Sequence, residues 1–136
     1  MSVLIFIDSA DGHVKKSSFE ALTYGAQLAK QLGTSAEGVL LGNVSDDIAA
    51  LGKYGVSKIH HAANDTFNHV DAQLYTKVIA EAAAATNATV IVISNNLTGK
   101  AVAPRLSARM KAGLVSGAVG LPDTTNGFVV RKGVFS

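Results

Sequence analysis

A chain of 136 residues, 48% hydrophobic and 16% charged, can bury roughly two-thirds of its unfolded surface; this excludes disorder and fits one domain over residues 1–136. Twelve Lys and Arg against ten Asp and Glu leave a formal charge of +2, too small an excess to argue for a nucleic-acid partner. The absence of cysteine excludes disulfides and thiolate metal sites, and short apolar runs with a strand starting near the N-terminus lead to the expectation of a cytoplasmic chain with no leader and no membrane span.

Residues 3–7 form an apolar run that predicts a buried parallel strand, closed by Asp8. Ser17 and Glu20 stand at capping-box spacing and predict a helix start there. Leu22, Gly25, Ala29 and Leu32 then recur on one helical face, and Gly33 predicts the left-handed stop. A second strand is expected over residues 36–41, a short helix headed by Asp46 and Asp47 through Leu51, and a third strand over 56–60. The alanine-dense segment 71–86 predicts a long helix lying close against the sheet. Residues 89–94 predict a fourth strand, followed by a polar loop and an amphipathic helix, the junction at which open α/β sheets place ligand or partner contacts.

Residues 113–121 and 128–134 read as two further strands. Pro122 and Asn126-Gly127 between them predict an antiparallel hairpin. The expected fold is therefore α/β: a Rossmann-like, doubly wound, mainly parallel sheet with an appended antiparallel strand pair, in a three-layer sandwich.

The usual phosphate and nucleophile motifs are missing. The loop after the first strand contains no Gly-x-Gly-x-x-Gly, Gly99-Lys100 is followed by Ala101 where a Walker loop needs Ser or Thr, and Ser116 lacks the flanking glycines of a nucleophile elbow. His60 and His61, adjacent on a strand, point to opposite faces and do not chelate one ion together. His13 and His69 fall in loops, and no three ligands converge to specify zinc or iron. Asp8 and Asp11 flank the first loop; capping and turn roles suit them better than cation binding.

The candidate contacts for an anion or a partner are Thr98, Gly99, Lys100, Arg105 and Arg109. Arg105 and Arg109 share a helical face, and the amides of Thr98, Gly99 and Lys100 sit where a helix N-terminus favours negative charge. The competing expectation for these residues is a solvated basic face, or Arg105 paired with a nearby carboxylate.

Two segments carry a family resemblance. Gly12-His13-Val14-Lys15-Lys16-Ser17-Ser18-Phe19-Glu20-Ala21-Leu22 resembles the first loop and helix of the electron-transfer flavoprotein alpha subunit. Thr98-Gly99-Lys100-Ala101-Val102-Ala103-Pro104-Arg105-Leu106-Ser107-Ala108-Arg109 resembles that family's Gly-Lys-Asp-x-x-Pro-Arg run after the fourth strand, with Ala101 in place of the usual acidic residue. Ser116 and residues 128–136 resemble the strands that follow, so the similarity covers essentially the whole chain.

The resemblance implies an N-terminal α/β domain that serves as scaffold and as interface to the beta subunit. It also implies that FAD is held by a separate C-terminal domain absent from this chain, that AMP sits in the partner beta subunit, and that the complete heterodimer carries electrons from dehydrogenases to a quinone oxidoreductase or another acceptor. In this reading the chain stops inside the N-terminal domain and holds no catalytic residue. Two alternatives from other classes are a stand-alone AMP- or ATP-binding domain of the universal-stress-protein type, and a small hydrolase or lyase built on Asp8, Asp11 and a histidine.

Overall fold

The computed structural model describes residues 2–68, 71–94, 98, 101–102, 104–106, 113–116 and 128–132. In chain order the elements are β1 (Ser2–Ile7), β2 (Ser9–Ala10), β3 (His13–Val14), α1 (Lys16–Leu32), β4 (Ser35–Leu41), a 3-10 helix (Ile48–Tyr54), β5 (Lys58–Ala62), a second 3-10 turn (Asp65–Asn68), α2 (Ala72–Ala85), β6 (Ala88–Ser94), β7 (Gly113–Ser116) and β8 (Phe128–Lys132). Six strands form one sheet in the order β5-β4-β1-β6-β8-β7. Every pairing within it is parallel.

β1 is buried along its whole length, and its alternating side chains divide the interior into two cores. Val3, Ile5 and Ile7 pack with Ala21, Leu22, Leu28 and Ala29 of α1. Leu4 and Phe6 face the other way, onto Tyr75, Ile79 and Ala83 of α2 and onto Val102 and Leu106. Helices on both faces of a parallel sheet confirm the doubly wound, three-layer expectation. Gly25 lets α1 approach β1: a Cβ there would lie 2.5 Å from Ile5 Cδ1.

The appended antiparallel pair is corrected in position. β7 and β8 run parallel to each other and to β6. The expected turn at Pro122 and Asn126-Gly127 lies outside the described residues. The antiparallel pair that does occur is the short ribbon of β2 and β3. Its turn residues Asp11 (φ 53°) and Gly12 (φ 81°) both hold positive φ, the conformation that favours Asp-Gly in tight hairpins.

The helix does not start at the expected capping box. α1 starts at Lys16, with Lys15 as an extended N-cap that makes no side-chain cap bond. Ser18 is buried and spends its hydroxyl on the residue just beyond β1: Oγ accepts from the Asp8 amide at 2.7 Å and donates to the Asp8 carbonyl at 3.0 Å. Gly33 ends the helix in the left-handed conformation, φ 70°, as expected. The third strand begins later than its apolar pattern suggests. Gly55 (φ 101°) ends the preceding 3-10 helix, and Ser57 ties to the Ala36 carbonyl through both its amide and its hydroxyl. Asp47 and Asp71 cap their helices, accepting from Ala49 N and from Gln73 N and Leu74 N respectively.

Candidate functional site at the sheet's carboxyl edge

The chain leaves β1 toward β4 and β5 on one side and returns to β6 on the other. The strand order therefore reverses between β1 and β6, where open α/β sheets form their crevice. Asp8, the first residue beyond β1, is 3% exposed. The β2–β3 ribbon turns the chain back so that the Lys15 amide donates to the Asp8 carbonyl at 2.9 Å. Lys15 Nζ then lies 2.9 Å from Asp8 Oδ2 and 3.5 Å from Thr98 Oγ1. One ammonium thus spans the switch point, from the carboxylate beyond β1 to a buried hydroxyl beyond β6.

Tyr75 of α2 packs on the sheet face that carries Leu4 and Phe6. Its ring meets Phe6 edge-on with centroids 6.0 Å apart, and its hydroxyl donates to the Phe67 carbonyl at 2.6 Å. Burial, with the nearby Asp8 charge adding to it, raises the Tyr75 phenol above its ordinary pKa of 10.0. A buried carboxylate pairs with the lysine that would otherwise meet an incoming anion.

Of the expected contacts, Thr98 lies in this crevice and is 4% exposed. Arg105 is exposed and among the described residues pairs with no carboxylate; its Nη1 donates 2.8 Å back to the Ala101 carbonyl of its own helical turn. Gly99, Lys100 and Arg109 lie outside the described residues, as does His69. Asp11 takes the turn role, with φ 53°. Among the described residues no group of three or more His, Asp and Glu side chains is placed to hold a metal ion. His60 and His61 do diverge across the sheet, His60 Nε2 lying 2.9 Å from Glu37 Oε1 and His61 Nε2 2.6 Å from the Gly42 carbonyl.

Two residues of weight were not singled out from the sequence, Lys15 and Asp46. The signal for Lys15 was Asp11-Gly12, a hairpin dipeptide whose turn returns the chain to Asp8. The sequence pairs Asp46 with Asp47 at the head of a helix, and only Asp47 takes that place. Asp46 clamps the ribbon: Oδ2 accepts from the Val14 amide at 2.7 Å, and Oδ1 lies 3.1 Å from His13 Nδ1. Those two bonds, the backbone one foremost, hold the Asp46 carboxyl below its ordinary pKa of 3.8. Ser45 adds two bonds to the Gly12 carbonyl, 2.8 Å from its amide and 3.0 Å from its hydroxyl.

Comparison with known proteins places the chain. Residues 3–136 match the family model described as electron transfer flavoprotein domain. The chain is 29% identical to the electron transfer flavoprotein subunit alpha of Clostridium acetobutylicum over 120 residues, which are 88% of this chain and 36% of that protein. It is 27% identical to the acryloyl-CoA reductase electron transfer subunit beta of Anaerotignum propionicum over 128 residues, 93% of this chain and 35% of that protein. The chain thus spans about a third of the length of these relatives. Among solved structures, a universal stress protein from Archaeoglobus fulgidus superposes with a TM-score of 0.56 at 15% identity, over 96% of this chain and 92% of that one. That likeness is one of fold. No described helix is long and apolar enough to cross a membrane.

Proposed function

Because the chain belongs to the electron transfer flavoprotein domain family, we propose that it is the N-terminal scaffold and heterodimer-interface domain of an alpha subunit. In this reading residues 1–136 are that domain, a C-terminal domain holds FAD, and a beta subunit holding AMP is the partner. The complete heterodimer passes electrons from dehydrogenases to a quinone oxidoreductase or another acceptor. The flavin supplies the redox chemistry when bound.

The observation that carries the scaffold role is the Lys15 bridge. Flavin and dinucleotide sites at a switch point present backbone amides and a glycine-rich turn to a pyrophosphate. Here the segment after β1 folds into a ribbon, and its lysine lies between Asp8 and Thr98. The described residues do not fit FAD, and no step of electron transfer is assigned to them. What they supply is a rigid parallel sheet whose carboxyl edge is tied down by side-chain bonds.

The rival reading, a stand-alone AMP- or ATP-binding domain, rests on likeness of fold to universal stress proteins. A phosphate entering the crevice would have to displace the Asp8 carboxylate from Lys15. Equilibrium dialysis of the purified protein against FAD and against AMP separates the two readings. Retention of neither at micromolar concentration is expected, and micromolar retention of AMP supports the rival instead.

A further inference from the structure

β5 closes one end of the sheet order and among the described residues pairs with β4 alone. Edge strands are kept from pairing with other chains by Pro, by bulges, by charged side chains or by a covering element. β5 holds an unbroken register with β4 and carries no Pro, and its single Lys stands at the first position. Its two imidazoles lean toward β4, His60 Nε2 lying 2.9 Å from Glu37 Oε1 and His61 Nε2 2.6 Å from the Gly42 carbonyl. Neither covers the open edge.

The outward backbone groups follow from alternation along the strand. The Ala62 carbonyl accepts from the Gly42 amide at 2.9 Å, which turns the backbone of Ala62, and with it that of His60 and Lys58, toward β4. The amides and carbonyls of Ile59 and His61 therefore point away from the sheet. This pair of residues is self-complementary. In an antiparallel pairing about a two-fold axis between two His60 residues, Ile59 faces His61 of the second copy, and each such pair exchanges both backbone bonds.

We propose that β5 is a self-association edge, through which two copies of this chain join their sheets into one. Charge suits that register. Lys58 falls opposite Ala62 of the second copy, and the two Lys58 residues stand four strand steps apart. That is about 13 Å along the strand, beyond the roughly 8 Å over which salt screens exposed charges. The two His60 rings meet across the axis, each beside its own Glu37 carboxylate. Shape suits it as well. On the α1 face a groove of about 330 Å³ flanks the edge, lined by Ile48, Ala49, Gly52, Val56 and Ile59, with Lys58 at its rim. A two-fold axis perpendicular to the sheet keeps this face on the same side in both copies, so each apolar groove covers the other. The contact is small beside the roughly 1,600 Å² of a standard interface, and the dimer is accordingly weak.

Sedimentation of the purified protein between about 10 μM and about 1 mM tests the proposal, with a monomer expected at the lower limit and a dimer at the upper. Amide hydrogen exchange over the same range reads the register. Ile59 and His61 should gain protection at high concentration, whereas Lys58 and His60, already bonded to β4, should not change. His61→Pro removes one outward amide and spares the ladder to β4; it should weaken association at least about tenfold, while His61→Ala, which loses only the imidazole, retains it. A chain that stays monomeric to about 1 mM overturns the proposal, as it would if the edge served a strand of another protein. So does a dimer with unchanged exchange at Ile59 and His61, or undiminished association in folded His61→Pro. None of these outcomes depends on the family reading, which the dialysis experiment tests at concentrations where the chain is monomeric.

Discussion

The Lys15 ammonium lies 2.9 Å from the Asp8 carboxylate, joining a side chain about a third exposed to one almost wholly buried. A buried carboxylate needs either a partner or a proton. Here the partner arrives on a ribbon whose turn depends on positive φ at Asp11 and Gly12. The same lysine reaches Thr98 at 3.5 Å. The ion pair therefore ties the segments after β1 and β6 together as well as neutralising Asp8.

Lys15→Met removes the cation and leaves Asp8 buried. Because Lys15 is partly solvated, the cost falls short of that for a fully buried pair, at about 1–3 kcal/mol. Urea unfolding of the variant should show this loss. Asp8→Asn/Lys15→Met should recover part of it, since the buried carboxylate loses its charge together with its lysine partner.

The ribbon's other anchor sets an acid dependence. The Asp46 carboxyl is held below its ordinary value by the Val14 amide and by His13. A group depressed in the folded state contributes stability above its unfolded pKa and loses it as pH falls through the folded value. Thermal midpoints of wild type and Asp46→Asn should therefore differ most above about pH 5 and converge as the pH falls through the lowered folded value. A constant gap across that range would assign the difference to packing and not to charge.

Much of this architecture was legible in the sequence because period and punctuation agreed. The apolar run from Val3 to Ile7, the Gly33 stop and the helix headed by Asp47 each report a local preference that the tertiary structure leaves intact. The failures occur where a long-range bond outcompetes a local one. Ser18 bonds Asp8 and the helix starts at Lys16, so the capping-box pattern does not set the boundary. Pro122 and Asn126-Gly127 signal a turn, but pairing of β8 with β6 fixes a parallel register that no local signal encodes. At the site, Thr98 could be singled out as a residue beyond a strand. Its lysine neighbour could not, because the contact joins segments far apart in sequence.

Close approach of α1 to the sheet is another such long-range condition. A Cβ at Gly25 would lie 2.5 Å from both Cδ1 and Cγ1 of Ile5. Gly25→Ala should therefore destabilise by about 1–3 kcal/mol, outweighing the roughly 1 kcal/mol that alanine gains in a helix interior. Adding Ile5→Val removes the Cδ1 clash and should recover part of the loss in denaturant unfolding.

The central claim is that this domain is the scaffold and interface of a heterodimeric carrier. Light scattering after size exclusion, on the purified protein mixed with an electron transfer flavoprotein beta subunit from the same source, tests it most directly. The account predicts a 1:1 complex that forms without FAD bound to this chain. Two separate peaks, together with micromolar AMP binding by this chain alone, would contradict it.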